Sequence, residues 1–401
     1  GQSQAMKVIY QAIGLVLENS LPLKEKELLP LEQCLNRCLA NSIKAPIDLP
    51  SYRLSKMDGF ALRLHESNDY SIIGEVKAGD DSNPELQLGQ CVRIFTGAVV
   101  PDTANAVIMQ EKTVRREQQL TIETSIKQGQ NIRSVGSQVQ KGDVPLEKGQ
   151  VLKASGLAFL QSLGIKEVEV VRSPNVTLIL TGNELITPTE PLSRGKIYES
   201  NSILLSSALS QQGIETQLIS FAEDSLKATI DSLKSAFEKA DVVLVSGGIS
   251  VGDYDFVKQA LEELEVKEIF YRVRQRPGKP LYFGRKGSKY IFALPGNPTS
   301  TLSCFYVYVL PLITRLKGSN SEGLIRISIP LAHDFSADEP RALFLKATVQ
   351  NQTVSILDQQ HSSTLVSFAK ANALVYIPEQ GIKLKKGALV ETLLLPNTIL
   401  T

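Results

Sequence analysis

The sequence is poor in the side chains that most often carry hydrolytic and metal chemistry. It has 401 residues but no tryptophan, only three histidines and only four cysteines. Because His65, His333 and His361 are scattered, neither a Ser-His-Asp constellation nor a structural zinc site is expected. The net charge is only +1, from 43 basic and 42 acidic residues, which excludes a global field for nucleic acid or an anionic membrane. Any anion-binding site must therefore be local.

Long apolar runs and targeting signals are also lacking. No stretch approaches the roughly 18–20 apolar residues that a membrane-spanning helix needs. The first residues show no basic region followed by an apolar one, as a secretory signal would. Cys34 and Cys38 are spaced for helix packing, and with Cys91 and Cys304 they are expected to be reduced and mostly buried. These absences predict a cytoplasmic protein that binds neither membrane nor nucleic acid.

The length and apolar content predict several folded domains, because 401 residues exceed one ordinary core and 42% are hydrophobic. Periodicity predicts helices at residues 6–17 and 31–40, followed by an extended, proline-containing linker at 45–50. Residues 51–140 contain short β-like segments between turns, which is typical of a small β domain. Residues 141–163 return to turn and helix, and we expect them to pack against the N-terminal helices.

The middle of the chain, from residue 174 to residue 318, alternates apolar strands with helices. The predicted strands are 176–180, 215–220, 241–245 and 290–294, and the predicted helices are 202–211, 226–239, 254–264 and 299–316. Such alternation with continuous apolar strands indicates a parallel sheet covered on both faces. Residues 319–401 contain short strands and turns again, which predicts a second β module.

Four loops are expected at the carboxyl ends of these strands, where open parallel sheets bind ligands. They are residues 181–184, 246–253, 277–280 and 294–298. The second loop has three glycines and two serines, which favours close approach of backbone N–H groups to an anion. A tight strand-to-helix turn that binds nothing is an equal alternative for that loop. In the fourth loop, Asn297 and Pro298 fit a helix N-cap and first helical position.

Charged residues lie near these loops. Arg272, Arg274 and Arg276 share one face if the segment is extended, and Lys279 follows them. A charge run is usually a solvated face, but this one adjoins two glycine-bearing loops, which favours a phosphate or oxyanion site. Acidic residues also accumulate at predicted loops, and acids beside a phosphate site commonly hold Mg²⁺. The residues alone therefore indicate a phosphorylated ligand and Mg²⁺, without naming the ligand.

Eight short segments resemble the molybdopterin molybdenumtransferase family, which includes MoeA and the E domain of gephyrin. They are residues 45–50, 57–61, 92–98, 142–143, 181–185, 246–253, 277–280 and 294–298. Each segment alone is a weak signal. In this order, over roughly residues 7–380, they are highly specific.

The resemblance implies a multidomain protein that combines α/β and β architecture and forms an elongated homodimer. Residues 6–45 and 141–172 would form an N-terminal helical and linker domain, and residues 46–140 an inserted β domain. Residues 173–318 would form a MogA-like parallel α/β domain that binds molybdopterin, and residues 319–401 a C-terminal β-barrel.

The reaction implied by the resemblance is insertion of molybdate into adenylylated molybdopterin, with Mg²⁺, to give molybdenum cofactor and AMP. The implied partners are a second copy of the chain, a MogA-type adenylyltransferase and the apo-molybdoenzymes. Two alternatives stay open. One is molybdopterin adenylyltransferase, which shares the α/β domain but needs neither β domain. The other is a non-catalytic scaffold comparable to gephyrin, against which the retained acidic residues and Lys279 argue.

Loop composition and resemblance together give the candidate site residues. The catalytic candidates are Asp58, Asp143, Glu184, Asp255 and Lys279. The metal-ligand candidates are Glu184, Asp224 and Asp255. The substrate-binding candidates are Thr96, Gly247, Gly248, Ser250, Gly252, Arg276, Gly278, Pro295, Gly296, Pro298, Arg341 and Ser362. By resemblance, Asp58, Thr96 and Asp143 reach the active site of the other subunit, whereas Arg341 and Ser362 match anion-contacting positions in the C-terminal domain.

The chain departs from the family pattern at three places. Asn183 stands where the family usually has aspartate, which removes one anionic metal ligand. Arg276 stands where the family usually has lysine, which keeps the charge but changes the donor geometry. Residues 54–59 read Leu-Ser-Lys-Met-Asp-Gly in place of the common Asn-Ser-Ala-Met-Asp-Gly.

Overall fold

The chain forms two compact units in a computed structural model. The structure describes residues 9–247, 256–273, 275–276, 281–337, 342–357, 365–378 and 382–396, with only the backbone of 275, 276 and 382. The first unit contains Gly1–Ala40, Gly149–Ala154 and Glu167–Thr401, and the second contains Asn41–Lys148 and Ser155–Lys166. The finer division into four domains stays a prediction.

Helices lie mostly in the first unit. Within the described residues the α-helices are α1 (Ile9–Glu18), α2 (Ala154–Ser162), α3 (Asn201–Ser210), α4 (Leu226–Lys239), α5 (Phe256–Glu263), α6 (Pro298–Cys304), α7 (Leu310–Leu316) and α8 (Leu365–Lys370). Short 3-10 helices span Leu31–Gln33 and Gln110–Lys112, and a π-helix spans Phe305–Val309.

Strands occur in both units. Those in the N-terminal half are β1 (Lys26–Pro30), β2 (Leu54–Ser55), β3 (Gly59–Leu62), β4 (Asp69–Val76), β5 (Gln90–Ile94), β6 (Ala106–Met109), β7 (Thr113–Arg116), β8 (Gln119–Ile122), β9 (Ile132–Arg133), β10 (Glu167–Val171), β11 (Val176–Thr181), β12 (Leu185–Ile186) and β13 (Ile197–Tyr198). Those that follow are β14 (Thr216–Ala222), β15 (Val242–Ser246), β16 (Lys267–Tyr271), β17 (Gln275–Arg276), β18 (Tyr282–Lys286), β19 (Lys289–Leu294), β20 (Arg326–Pro330), β21 (Phe335–Ala337), β22 (Ala342–Gln350), β23 (Thr353–Ile356), β24 (Ala373–Ile377), β25 (Ile382–Leu384) and β26 (Leu389–Leu394).

The central sheet of the first unit is parallel over four strands, in the order β14-β11-β15-β19, and ends with the antiparallel strands β18 and β16. Alternate residues along its strands point to opposite faces. Leu178 and Leu244 join a core cluster with α3, α6 and α7, whereas Ile179 and Val243 join one with α4 and α5. The prediction of a parallel sheet covered on both faces is therefore confirmed, although the antiparallel pair at its edge was not predicted.

The predicted helix at residues 299–316 is divided into α6, the π-helix and α7. Pro311 lies in the first turn of α7 and has no N–H to continue the α-helical hydrogen bonds. A local π-helical segment accommodates such a loss. All five residues of the π-helix are buried, so this segment stays in the core.

The predicted helix at residues 31–40 is wrong. Only the single 3-10 turn Leu31–Gln33 forms, and Asn36 then takes a left-handed conformation with φ of 65°. The backbone N–H of Leu39 donates to the carbonyl of Gln150 at 3.0 Å. Because Leu39 is fully buried, tertiary pairing outweighs the modest helix propensity of this segment. The N-terminal helix was predicted correctly in its described part, since α1 buries Ile9, Ala12, Ile13 and Val16.

The second unit contains a six-stranded sheet in the order β6-β3-β5-β4-β8-β7, which confirms the short strands predicted within residues 51–140. Beside it, Phe159 and Leu163 pack against Ala45 and Val139. These partners are loop residues of the second unit, whereas the sequence predicts packing against the N-terminal helices.

Strands of the C-terminal region form a curled half-barrel sheet together with β17, in the order β17-β22-β24-β26-β20, with β23 paired to β22. Its apolar face buries residues such as Ala347, Val375 and Val390. The predicted multidomain α/β plus β fold is thereby confirmed. All four cysteines are buried and unbridged, as predicted. No helix within the described ranges is long and apolar enough to cross a membrane.

Candidate functional site

A cavity of about 320 Å³ lies at the carboxyl edge of the central sheet. Loops that follow β11, β15 and β19 form its walls, together with the start of α3. Among the residues that line it are four predicted site residues, namely Glu184, Gly247, Gly296 and Pro298. Ligands of open parallel sheets bind at this edge, so the cavity is the candidate site of the first unit.

Two glycines allow the walls to approach closely. Gly247 has φ of 86°, and a Cβ atom there would collide with the backbone carbonyl of Thr181. A Cβ atom on Gly296 would lie 3.6 Å from the Cα atom of Gly247. The backbones after β11, β15 and β19 therefore meet at a point where Gly247 leaves no room for a side chain, as the glycine-rich loop pattern suggested.

Asn201, the first residue of α3, connects two of these walls. Its Nδ2 atom donates to Ser246 Oγ at 2.6 Å and to the carbonyl of Gly296 at 2.8 Å. Only 8% of Asn201 is exposed. Sequence reasoning missed this residue, because an asparagine directly before a predicted helix reads as an ordinary N-cap.

The loop after β19 is a rigid helix start. Asn297 Oδ1 accepts a hydrogen bond from the backbone N–H of Thr299 at 3.2 Å, and Pro298 occupies the first turn of α6. Thr301 Oγ1 donates to the carbonyl of Pro295 at 2.5 Å. The predicted N-cap is therefore confirmed, and Pro295 and Pro298 are held in a fixed turn beside the cavity.

Two carboxylate residues line the cavity, Glu184 and Glu199, and Glu199 already accepts from the backbone N–H and the hydroxyl of Ser202 at 2.6 Å each. The Glu184 side chain folds back over Gly182, where a Cβ atom would lie 2.7 Å from Glu184 Oε1. Asn183 Oδ1 accepts from the backbone N–H of Asp224 at 3.4 Å, and the Asn183 carbonyl accepts from Lys196 Nζ at 2.6 Å. The Asn183 side chain thus connects the loop that carries Glu184 to the segment that carries Asp224.

Mg²⁺ is bound in proteins through one or two carboxylates together with water and substrate phosphates. No group of three or more His, Cys, Asp or Glu side chains among the described residues could hold a metal ion by itself. Glu184 at the cavity wall fits the sparse protein ligation that Mg²⁺ accepts. Asp255, the third predicted ligand, lies outside the described residues.

The second unit brings two other predicted residues together. Asp58 Oδ1 accepts from the backbone N–H of Thr96 at 2.9 Å and from Thr96 Oγ1 at 3.0 Å. These two bonds, and then the charge of Arg93, lower the pKa of the exposed Asp58 carboxyl. Arg93 is itself held over the rings of Phe60 and Phe95, at 5.3 and 4.7 Å from their centroids.

Asp143 lies in a turn of the same unit. Its Oδ2 atom accepts from the backbone N–H of Gln140 at 3.0 Å, and its carbonyl accepts from the N–H of Ala45 at 2.8 Å. The exposed carboxylate therefore stabilises its own turn through Oδ2.

Other predicted site residues are not described by the structure. Those outside the described residues are Gly248, Ser250, Gly252, Asp255, Gly278, Lys279, Arg341 and Ser362. The backbone of Arg276 belongs to β17, which pairs with β22. Arg272 has φ of 71° and lies over the ring of Tyr271 at 4.9 Å, so the chain turns there instead of continuing extended. The predicted shared face of the three arginines includes Arg274, which lies outside the described residues.

Comparison with known proteins accounts for nearly the whole chain. Residues 3–164 match the family model of the MoeA N-terminal region, domains I and II. Residues 177–315 match the model described as "Probable molybdopterin binding domain", and residues 328–395 match the MoeA C-terminal region, domain IV. A molybdopterin molybdenumtransferase of Staphylococcus epidermidis is 31% identical over 398 residues, which is 96% of this chain and 95% of that protein.

The chain belongs to the molybdopterin molybdenumtransferase (MoeA) family. A second relative, a molybdopterin molybdenumtransferase of Staphylococcus aureus, is 32% identical over 376 residues, which is 91% of this chain and 90% of that protein. The MoeA protein of Pyrococcus horikoshii OT3, described as a molybdopterin biosynthesis protein, superposes with a TM-score of 0.85 at 28% identity, over 97% of this chain and all of that one. Every residue that lines the cavity lies within the segment matched by the molybdopterin-binding model.

Proposed function

We propose that this MoeA-family protein inserts molybdenum from molybdate into adenylylated molybdopterin and releases AMP. The observation that carries the proposal is the cavity at the carboxyl edge of the parallel sheet, inside the segment that matches a molybdopterin-binding domain. The relatives named for this activity cover nearly the full chain, including both β regions. An adenylyltransferase would need neither β region, so that alternative is not favoured.

In this proposal the glycines of the cavity admit the phosphate of the pterin. Gly247 and Gly296 let backbone groups approach an anion without an intervening side chain. The predicted ligands outside the described cavity wall, including Ser250, Arg276 and Lys279, would add donors and positive charge to the same anion. Arg341 and Ser362 are proposed as further anion contacts from the C-terminal region.

Glu184 is the residue we propose for the metal, with Asp224 and Asp255 as the further ligands. Bound Mg²⁺ would supply positive charge that polarises the phosphate bridge between pterin and adenylate. Glu184 would fix that charge beside the bridge, while the backbone after β15 and β19 holds the phosphate. Removal of the Glu184 charge should then slow AMP release more than it weakens binding.

We also propose that two chains form a homodimer, in which Asp58, Thr96 and Asp143 act at the partner's cavity. Support comes from β14, which lies at the edge of the central sheet. Leu218, Ile219 and Phe221 on this strand are exposed, and Phe221 by 57%. An exposed apolar edge strand is a surface that proteins normally cover.

The remaining proposals follow from the role in cofactor synthesis. We place the protein in the cytoplasm, where a MogA-type adenylyltransferase would supply the adenylylated pterin and apo-molybdoenzymes would receive the product. The division into four domains fits the order of the three matching family models.

Release of AMP tests the proposed function. Purified protein is incubated with adenylylated molybdopterin and Mg²⁺, with and without molybdate, and AMP is measured by chromatography. We expect AMP release that depends on both molybdate and Mg²⁺. A parallel incubation with ATP and molybdopterin should give no adenylylated product. Adenylylation in that second incubation would favour the adenylyltransferase instead, and inactivity in both would favour the scaffold.

A further inference from the structure

The orientation of the Asn201 side chain is fixed by its surroundings. A backbone carbonyl can only accept a hydrogen bond, so the atom of Asn201 that contacts the carbonyl of Gly296 must be the amide nitrogen. The same nitrogen donates to Ser246 Oγ at 2.6 Å. The hydroxyl of Ser246 is therefore an acceptor in this contact, and this contact does not use its proton.

Ser246 lies at the end of β15 and lines the cavity, although only 3% of the residue is exposed. Within the described part of the chain, no acceptor takes the Ser246 proton, since its one hydrogen bond there is the one it accepts from Asn201. Asn201 Oδ1 is buried and likewise has no partner among the described residues. Buried polar groups are nearly always hydrogen-bonded, so this donor and this acceptor leave the wall of the cavity incomplete.

A purely structural role would not require this pair. The end of a buried parallel strand is normally apolar, and alanine or valine would fill the position of Ser246 without a hydroxyl. An N-terminal asparagine normally caps the amides of its own helix, whereas Asn201 donates to residues 45 and 95 positions away. The two side chains are instead arranged so that an amide orients a hydroxyl at the cavity.

We infer that Ser246 is a substrate-binding residue, whose hydroxyl donates a hydrogen bond to an oxygen of the phosphorylated pterin, and that Asn201 is its positioning residue. The inference rests on the proposed function, because the pterin is assigned to this cavity by that proposal. Ser246 supplies the donor, the pterin supplies a phosphate or carbonyl oxygen, and Asn201 orients the hydroxyl by donating to its oxygen. No covalent step is involved.

Ser246→Ala tests the assignment, with calorimetric affinity measured for adenylylated molybdopterin, molybdopterin and AMP. The two pterin ligands should each bind about tenfold more weakly, as expected for one lost hydrogen bond to a bound oxygen. AMP alone should bind no differently from the parent. Ser303→Ala is the matched control, because Ser303 is equally buried in the same unit and does not line the cavity.

Asn201→Asp tests the positioning role. A carboxylate accepts the Ser246 proton, so the hydroxyl is turned away from the pterin while the side chain keeps its shape. The Asn201→Asp variant should lose at least as much affinity for both pterin ligands as Ser246→Ala does. In the double variant the two losses should be far from additive, since both remove the same donor. Melting temperatures of all variants separate affinity from stability.

The outcomes are distinguishable. A parent protein that binds no pterin ends the proposed function and the Ser246 assignment with it. A parent that binds pterin, together with an Ser246→Ala variant of equal affinity, ends the Ser246 assignment alone. Equal weakening toward AMP would place the donor at the adenylate and overturn the assignment to the pterin. Additive losses in the double variant would overturn the positioning role of Asn201.

Discussion

Thr96 donates two hydrogen bonds to one carboxylate oxygen of Asp58, from its backbone nitrogen at 2.9 Å and from its hydroxyl at 3.0 Å. The pKa of Asp58 is lowered as a result. In Thr96→Val the hydroxyl bond is lost and the backbone bond remains, so the pKa of Asp58 should rise part of the way toward its ordinary value. Thr96→Ser should leave it unchanged. Titration of the Asp58 carboxyl by NMR checks this, and a pKa that is the same in all three proteins would contradict it.

The same contact makes stability depend on pH in a defined direction. Because the pKa of Asp58 is lowered in the folded protein, its contribution is present above the unfolded-state pKa of about 3.9 and is lost as the pH falls through the lower folded value. Asp58→Asn should therefore lower the melting temperature at neutral pH by a constant amount, and the difference should vanish in acid. A difference that grows as the pH falls would show that Asp58 is stabilised in its protonated form.

Gly247→Ala should damage the cavity more than a glycine replacement at an open turn. Alanine at Gly247 combines left-handed backbone strain with a collision against the carbonyl of Thr181. Gly287 has a comparable φ of 61° and open space around it, so Gly287→Ala provides a control for backbone strain alone. We expect Gly247→Ala to reduce the free energy of unfolding by at least about 1 kcal/mol more than the control. It should also weaken pterin binding. Equal losses in both variants by denaturant unfolding would contradict the close approach.

Glu184→Gln should separate chemistry from binding. The amide keeps the size of the side chain and removes the charge proposed for Mg²⁺, so AMP release should fall roughly hundredfold, as for the loss of one electrostatic stabiliser. Pterin affinity should change much less. Glu190→Gln is the control, because Glu190 is exposed in the connection between β12 and β13, close in sequence to Glu184, and does not line the cavity. Normal AMP release at saturating Mg²⁺ together with a lowered melting temperature would limit Glu184 to a structural role in its turn.

Phe221→Asp should dissociate the proposed homodimer. The charge would be placed on the exposed face of an edge strand, whose burial against a second chain it opposes. Light scattering should give about twice the 43.9 kDa chain mass for the parent and the single-chain mass for the variant. Leu88→Asp is the control, since Leu88 is also exposed but lies in a turn of the second unit, outside the strands. A parent protein that stays at 43.9 kDa across a dilution series would contradict the proposed homodimer.

The sequence predicted best where local pattern and tertiary burial agree. Strands β11 and β15 are largely apolar and buried throughout, so their type and position were evident. The prediction of a helix at residues 31–40 was wrong because Leu39 pairs with a segment more than 100 positions away. Local periodicity carries no information about such a distant partner. The π-helix likewise follows from the packing of Pro311 within a helix that the periodicity indicated as continuous.

The candidate site was predictable to a similar extent. Glycine-rich turns after parallel strands indicated Gly247 and Gly296, because such turns have a physical reason to occur at the carboxyl edge. The pairing of Asp58 with Thr96 was placed at the site only by resemblance, and the structure brings the two into contact. Asn201 was missed, since its function depends on partners that lie close only in the folded chain.

Molybdenum insertion is tested most directly by the metal content of the pterin product. Purified protein, adenylylated molybdopterin, molybdate and Mg²⁺ are incubated, the pterin is separated, and its molybdenum is measured by elemental analysis beside the AMP released. The account predicts pterin-bound molybdenum and AMP in equal amounts, both lost when Mg²⁺ is removed by a chelator. AMP released without pterin-bound molybdenum, or neither product from a folded and pterin-binding protein, would contradict it.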